Sequence, residues 1–193
     1  MEICGTGAIK GLLRRELNRL AEEWTPEQKR ESDEDLISQF LALPAVERAE
    51  SIMLYWGVGV EPDTRPLLEN LLAAGKKVCL PRCLPENRME ARKIERMDQV
   101  RPGLFHIPEP DDTCAVISRD DLDLVLAPCI CCDLAGFRLG HGAGYYDRYL
   151  AGYRGTTVCL CREEFLQDHL PREPYDLPAD IVLTEYGRAG REE

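Results

Sequence analysis

Apolar residues at Ile9, Leu12, Leu13, Leu17 and Leu20 recur at helical spacing, with Lys and Arg around the rest of the turn, and predict an amphipathic helix over about Ala8 to Glu23. Thr25-Pro26-Glu27-Gln28 reads as an N-cap, a proline at the first helical position and a capping-box glutamine. These open a second helix that runs to about Leu43, where Pro44 stops it. Ser51 to Trp56, bounded by Gly57, is an apolar run too short for a helix and right for a buried strand. Thr64 to Ala74 puts Leu67, Leu68, Leu71 and Leu72 on one helical face and ends at Gly75, a natural left-handed C-cap position. Lys77 to Pro81 is the next strand, so strand, helix and strand follow one another as in a parallel crossover unit.

Further along, Met89 to Glu95 predicts a strand, and the Pro- and Gly-rich stretch Pro102 to Pro110 a surface connection. Leu122 to Pro128 is apolar enough for a central strand. A glycine cluster follows, then a helix over about Tyr145 to Leu150, a strand near Thr156 to Leu160 and a last one near Asp180 to Thr184. No repeat, low-complexity tract or linker divides the chain. The pattern predicts one α/β domain over residues 1–193, a three-layer Rossmann-like fold with a central, largely parallel sheet flanked by helices. Ligands are expected at the carboxyl ends of its strands.

Charge narrows the partners. The sequence carries 35 acidic against 24 basic residues, a formal net charge of -11, which repels a phosphodiester backbone and an anionic membrane surface alike. Nucleic acid and membrane are not expected as partners, whereas a small polyanion needs only a few cations placed together. No apolar stretch approaches the ~20 residues of a bilayer span, and Met1-Glu-Ile-Cys-Gly-Thr-Gly has neither the basic nor the apolar region of a signal peptide. Nine scattered cysteines fit reduced thiols. The expectation is a cytoplasmic protein without structural disulfides.

The segment with most chemistry is Arg138-Leu-Gly-His-Gly-Ala-Gly-Tyr-Tyr-Asp147. Gly140, Gly142 and Gly144 alternate through a loop that follows a strand and enters a helix. Glycines let backbone take positive φ and come close to a ligand, and free amides at a helix start suit phosphate. Arg138 before the loop can clamp a phosphate, and the Asp147 carboxylate after it can hold magnesium. The same two residues are also able simply to pair with each other, as ordinary surface charges do.

With Ala127-Pro128 and Asp133 at the matching distance upstream, Arg138-Leu-Gly-His-Gly-Ala-Gly-Tyr-Tyr-Asp-Arg-Tyr-Leu150 resembles the signature of the 5-formyltetrahydrofolate cyclo-ligase family, also called methenyltetrahydrofolate synthetases. The resemblance extends through Lys10 to Arg14, Glu61 to Thr64, Gly75 to Pro81, Gly103 to Pro110 and Asp180 to Glu185. It implies ATP-dependent conversion of 5-formyltetrahydrofolate to 5,10-methenyltetrahydrofolate with release of ADP and phosphate, by phosphorylation of the formyl oxygen and attack by N10. In such chemistry catalysis rests mainly on alignment and charge neutralisation.

The resemblance also implies the site. Lys10 and Arg14, four apart on one helical face, would contact ATP together with Arg138, Leu139, Gly140, His141, Gly142, Ala143, Gly144, Tyr145 and Tyr146. Asp147 and, as a second ligand, Asp180 would hold Mg2+, although an aspartate opening a strand is often only a turn residue. Glu61 would accept hydrogen bonds from the pterin, Trp56 would line its pocket, and His141, Gly142, Ala143, Gly144 and Tyr145 would border the substrate. Lys10, Glu61 and Arg138 are the catalytic set, and the protein is expected to act as a monomer on ATP and 5-formyltetrahydrofolate. Two positions depart from the family pattern: His141 stands where tyrosine is common and Ala143 where glycine or lysine is more familiar. Ala143 would restrict the loop if its backbone needed positive φ.

Cys129-Ile-Cys131-Cys132 and Cys159-Leu-Cys161 raise a second possibility, thiolates from two neighbouring strands around zinc. Strand alternation, however, puts Cys129 and Cys131 on one face and Cys132 on the other, which favours buried cysteine as a small apolar filler. Two further readings stay open: a nucleotide-binding regulator without turnover, and another ATP-dependent ligase or kinase that differs near Trp56 and Glu61.

Overall fold

The computed structural model describes residues 5–190. Helices α1 (Thr6–Glu22), α2 (Pro26–Leu41) and α3 (Pro44–Arg48) precede β1 (Ser51–Met53), and α4 (Arg65–Ala73) crosses over to β2 (Lys77–Leu84). Then come β3 (Arg88–Ile94), β4 (Val100–Pro102), β5 (Pro108–Pro110), β6 (Val116–Ile117) and β7 (Leu124–Leu126). The chain ends with β8 (Cys131–Cys132), β9 (Arg138–Leu139), α5 (Tyr145–Leu150), β10 (Thr156–Leu160), β11 (Ile181–Thr184) and β12 (Gly187–Ala189).

The main sheet runs in the order β12-β11-β10-β7-β1-β2-β3-β6, and its five central strands β11, β10, β7, β1 and β2 are parallel. Period-two alternation divides the core in two. Ile52, Leu124, Leu126 and Val158 point to the side covered by α2, α3 and α4, where Leu36, Phe40, Val46, Leu67 and Leu71 meet them. Met53, Val125 and Cys159 point to the other side, where α1 and α5 contribute Leu17 and Leu150. The expected mixed fold with a largely parallel sheet between helices is the one observed.

Local signals explain the caps. Thr25 and Gln28 form both bonds of a capping box, at 2.9 and 3.2 Å, around Pro26. Gly75 takes φ 77° just past α4, as its position predicts.

Several boundaries differ from the sequence reading. Pro44 does not merely stop α2, which already ends at Leu41; it occupies the first turn of α3, where its missing N–H costs nothing. The strand expected over Ser51 to Trp56 is regular only over Ser51–Met53, and after the Leu54 N–H donates to the Cys79 carbonyl at 2.9 Å the chain passes into the loop before α4. Strand β2 runs past Pro81 to Leu84 and returns as β3 through a turn in which Glu86 and Asn87 are left-handed. Beyond Cys79 the β1 side of β2 is unpaired, so Pro81 forfeits no ladder bond there. Pro102 to Pro110, expected to be irregular, folds as the β4–β5 hairpin with Phe105 and His106 left-handed at its tip.

Helix α1 shows why its apolar stripe is only partly covered. At 100° per residue, Lys10, Arg14, Leu17 and Ala21 share one direction, and that is the inward one. Leu17 is buried, whereas Ile9 and Leu12 lie off that face and are exposed. The basic pair is therefore turned into the protein. Among the described residues, no helix is long and apolar enough to cross a membrane.

Candidate active site

The site forms where the chain leaves β1 and where it leaves the β8–β9 hairpin. After β1, the loop to α4 closes tightly: Thr64 donates to the Tyr55 carbonyl at 2.5 Å and accepts the Gly57 N–H at 3.1 Å. A Cβ at Gly57 would fall 1.9 Å from the Pro62 carbonyl oxygen, so only glycine permits this closure. The loop carries Glu61 inward, 5% exposed, with one carboxylate oxygen accepting the Val58 N–H at 3.0 Å. Its other oxygen meets the His141 Nε2 at 3.0 Å. That contact, across 80 residues of sequence, joins the carboxylate to the glycine loop. The hydrogen bond to Glu61 pushes the imidazole above its ordinary value, outweighing burial.

Arg162, which sequence reading missed, holds the Glu61 loop in place. This guanidinium is buried; its Nε donates to the Val60 carbonyl at 3.1 Å, and its other arms donate to Ser32 at 2.6 Å and Asp33 at 2.7 Å. It also lies over the Trp24 ring at 5.1 Å. No local pattern signals it, since its partners lie some hundred residues away.

The glycine loop divides its conformational demands unequally. Gly142 and Gly144 take φ of 100° and 69°, while Ala143 has no positive φ. The concern that Ala143 restricts the loop is thus removed. Arg14 donates through Nε to the Gly140 carbonyl at 2.7 Å and lies against Gly142, where a Cβ would meet its guanidinium carbon at 3.2 Å. From the other side Arg148 donates to the Ala143 carbonyl and, at 3.1 Å, to that of Asn87. Helix α5 has only six residues and starts from left-handed Gly144. An anion here would therefore be held by loop amides rather than by the end of a long helix.

Arg138 is buried and committed. One arm donates to the Leu177 carbonyl at 2.8 Å, and another to Asp147 at 2.9 Å. The two residues do pair, with the Arg138 side chain buried and Asp147 partly exposed. The same Asp147 oxygen accepts the Leu177 N–H at 3.3 Å, which leaves the second oxygen for another partner. Lys10 forms an ion pair with Asp176, which also accepts the Glu173 N–H at 2.7 Å. The segment around Asp176 and Leu177 thus ties both cations, another feature absent from the sequence reading. Leu139, buried in the hairpin, anchors the start of the loop.

Asp180, expected as a second metal ligand, is placed elsewhere. It opens β11 at the amino ends of the parallel strands, and its carboxylate accepts the Thr157 N–H at 2.7 Å. Glu61 and His141 lie past the carboxyl ends, so the turn role fits Asp180 and the ligand role does not. Asp133, too, is organisational: fully buried, it accepts the N–H groups of Ala135, Phe137 and Leu170 and a bond from Arg172, each at 3.0 Å.

The tyrosines separate. Tyr146 turns inward, and burial together with nearby Glu61 pushes its phenol well above the ordinary value. Its hydroxyl and that of Tyr55, which feels the same carboxylate, are buried and have no partner. Tyr145 turns outward, edge-on to Phe105 with centroids 6.4 Å apart. Phe105, missed in the sequence, is 62% exposed on the left-handed hairpin tip. Trp56 is half-buried against the α2–α4 side of the core. A cleft of about 350 Å³ beyond α5 is lined by Arg88, Ser118, Arg119 and Tyr149; of the expected site residues only Tyr145 reaches it.

A parallel α/β sheet with a buried carboxylate, a glycine loop and convergent cations past its carboxyl ends defines a small-molecule enzyme of the layered α/β class. Residues 6–185 match the 5-formyltetrahydrofolate cyclo-ligase family. The chain belongs to this family. The Escherichia coli K12 protein named 5-formyltetrahydrofolate cyclo-ligase is 31% identical over 166 residues, covering 83% of this chain and 91% of the relative. A Mycolicibacterium smegmatis protein of the same name is 31% identical over 170 residues, covering 82% and 85%. The solved structure of Aquifex aeolicus 5,10-methenyltetrahydrofolate synthetase superposes with a TM-score of 0.84 at 28% identity, over 96% of each chain.

Proposed function

We propose that the protein converts 5-formyltetrahydrofolate to 5,10-methenyltetrahydrofolate at the expense of ATP. The observation that carries this reading is the 3.0 Å contact between Glu61 and His141, which makes one site of a buried acceptor and a phosphate-type loop. In this reading the formyl oxygen attacks the γ-phosphorus, ADP leaves, and N5 supplies electrons to the activated carbon. N10 then adds to that carbon and loses its proton, and phosphate departs with the former formyl oxygen.

This chain's residues would orient those steps. The amides of Gly140 to Gly144, with Arg14 and Lys10 at their edge, hold the triphosphate, and Arg138 sets the end of the loop. Glu61 accepts hydrogen bonds from the reduced pterin once His141 swings aside, and the orphaned hydroxyls of Tyr55 and Tyr146 gain partners there. Trp56 and the Phe105–Tyr145 pair offer flat apolar faces to the folate rings. The free oxygen of Asp147 fits Mg2+, which is typically held by one or two carboxylates plus phosphate oxygens and neutralises charge on the transferred group. The protein would do this as a cytoplasmic monomer.

The test mixes protein, magnesium, ATP and 5-formyltetrahydrofolate and follows methenyltetrahydrofolate absorbance, with an ATP-free control. No ATP-dependent rise from folded protein would overturn the reading.

A further inference from the structure

Four thiols beneath the site take no part in the chemistry above. Cys129 and Cys132 follow β7, Cys159 lies in β10 and Cys161 just past it, and none is more than 2% exposed. The alternation expected to send Cys132 to the opposite face fails because β7 ends at Leu126, before Pro128, and the chain turns. Cys132 and Cys129 sulfurs are instead 3.4 Å apart.

The sulfurs of Cys129, Cys132 and Cys159 all lie within 4.8 Å of one another. Some point is then within about 2.8 Å of all three, against ~2.3 Å for a zinc–thiolate bond, so a few tenths of an ångström of adjustment seats an ion. Cys161 adjoins the group: its sulfur accepts the Cys132 N–H at 3.2 Å, the kind of amide-to-sulfur bond that steadies a thiolate. No carboxylate or imidazole belongs to this group, and an all-sulfur set selects a soft d10 cation over magnesium or calcium. Buried cysteines elsewhere, such as Cys79 and Cys114, show that apolar filling needs no convergence of thiols.

We propose that Cys129, Cys132 and Cys159 form a structural zinc site, and that Cys161, which stands just outside this three-sulfur group, closes in as fourth ligand when the metal binds. Its place gives it a task. Cys132 pairs with Arg138 across the β8–β9 ladder, so an ion here staples the hairpin that carries Arg138 and the glycine loop to the carboxyl end of β10. Zinc loading releases the thiol protons to solvent and requires no oxidant.

The test reconstitutes the full chain with Zn(II) under reducing conditions, removes loose metal by gel filtration and measures zinc per chain. Near-stoichiometric zinc is expected in the wild type and in Cys79→Ala, and loss of it in Cys132→Ala. Should Cys132→Ala fail to fold, Co(II)-loaded wild type decides, through tetrahedral thiolate absorption bands and a sulfur shell in X-ray absorption. Folded wild type that retains no zinc overturns the proposal, whether its thiols are all free or Cys129 and Cys132 form a disulfide. Zinc held equally by Cys132→Ala, or Co(II) without a sulfur shell, overturns it as well.

Discussion

Arg138 and Asp147 stand at the two ends of the glycine loop and close it with an ion pair of 2.9 Å, while the Leu177 carbonyl takes a second guanidinium arm at 2.8 Å. Arg138 is thus as much a clasp as a ligand. Removing one partner of a buried pair typically costs about 3–5 kcal/mol, because the other charge is left uncompensated. Asp147 is partly exposed, so Arg138→Ala should fall at or below the lower end, about 2–3 kcal/mol in chemical denaturation. Its KM for ATP should rise more than its KM for folate. Equal effects on both would mean that the pair only supports the fold. Asp147→Asn keeps the geometry and removes charge, and is expected to raise the magnesium concentration needed for half-maximal rate.

The His141–Glu61 pair sets a pH dependence whose sign is fixed. His141 has a raised value in the folded state, so its contribution is fully present below the unfolded value of ~6.5 and is lost as pH climbs through the folded one. The ring is 53% exposed, which limits the stability effect to under about 1 kcal/mol. Wild type should exceed His141→Ala in denaturation at about pH 5.5, and the difference should vanish near about pH 9. Because the same carboxylate is the proposed pterin acceptor, KM for folate should fall over that range in wild type and stay flat in the variant. A wild-type advantage that grows with pH would contradict the pairing.

Neighbouring loop positions should respond oppositely to similar changes. Gly142 has φ 100° and faces Arg14, so Gly142→Ala carries the ~1–2 kcal/mol penalty of a left-handed L-residue and crowds the Arg14 guanidinium that binds the Gly140 carbonyl. ATP should bind several-fold more weakly, as read by nucleotide titration. Ala143→Gly, at a position with no positive φ, should alter stability and KM little. If Ala143→Gly improves turnover markedly, the conformational account of the loop is wrong.

Much of this arrangement is legible in the chain because it depends on local periodicity. The uninterrupted apolar runs Ile52-Met53-Leu54 and Leu124-Val125-Leu126 announce strands buried on both faces, and the four-residue spacing of Lys10 and Arg14 announces one helical direction. The spacing does not say that this direction is inward, since Ile9 and Leu12 make an equally good apolar stripe. Asp176, Leu177 and Arg162 escape notice for another reason: each acts through contacts with distant segments, such as Arg162 with Ser32 across 130 residues, and leaves no periodic trace. The face expected of Cys132 is wrong because that reading continues a strand that ends at Leu126, whereas Asp180 opens its strand as the sequence indicates but at the amino end, where the turn role fits.

The last prediction concerns a residue that touches no proposed ligand. A methyl group on Gly57 would fall 1.9 Å from the Pro62 carbonyl oxygen, a backbone atom that cannot rotate away, so Gly57→Ala must displace the turn before α4. Thr64 would loosen its bonds to Tyr55 and Gly57, and Glu61, three residues earlier, would lose its fixed aim at the glycine loop. Arg162 still holds the Val60 carbonyl, which confines the movement to the turn. The expected outcome is a folded protein, destabilised by roughly 2–3 kcal/mol as for other overpacked sites, whose KM for 5-formyltetrahydrofolate rises at least about tenfold while ATP affinity stays within about twofold. A rise in the ATP constant with an unchanged folate constant would place Glu61 on the nucleotide side and reverse the assignment of the two halves of the site.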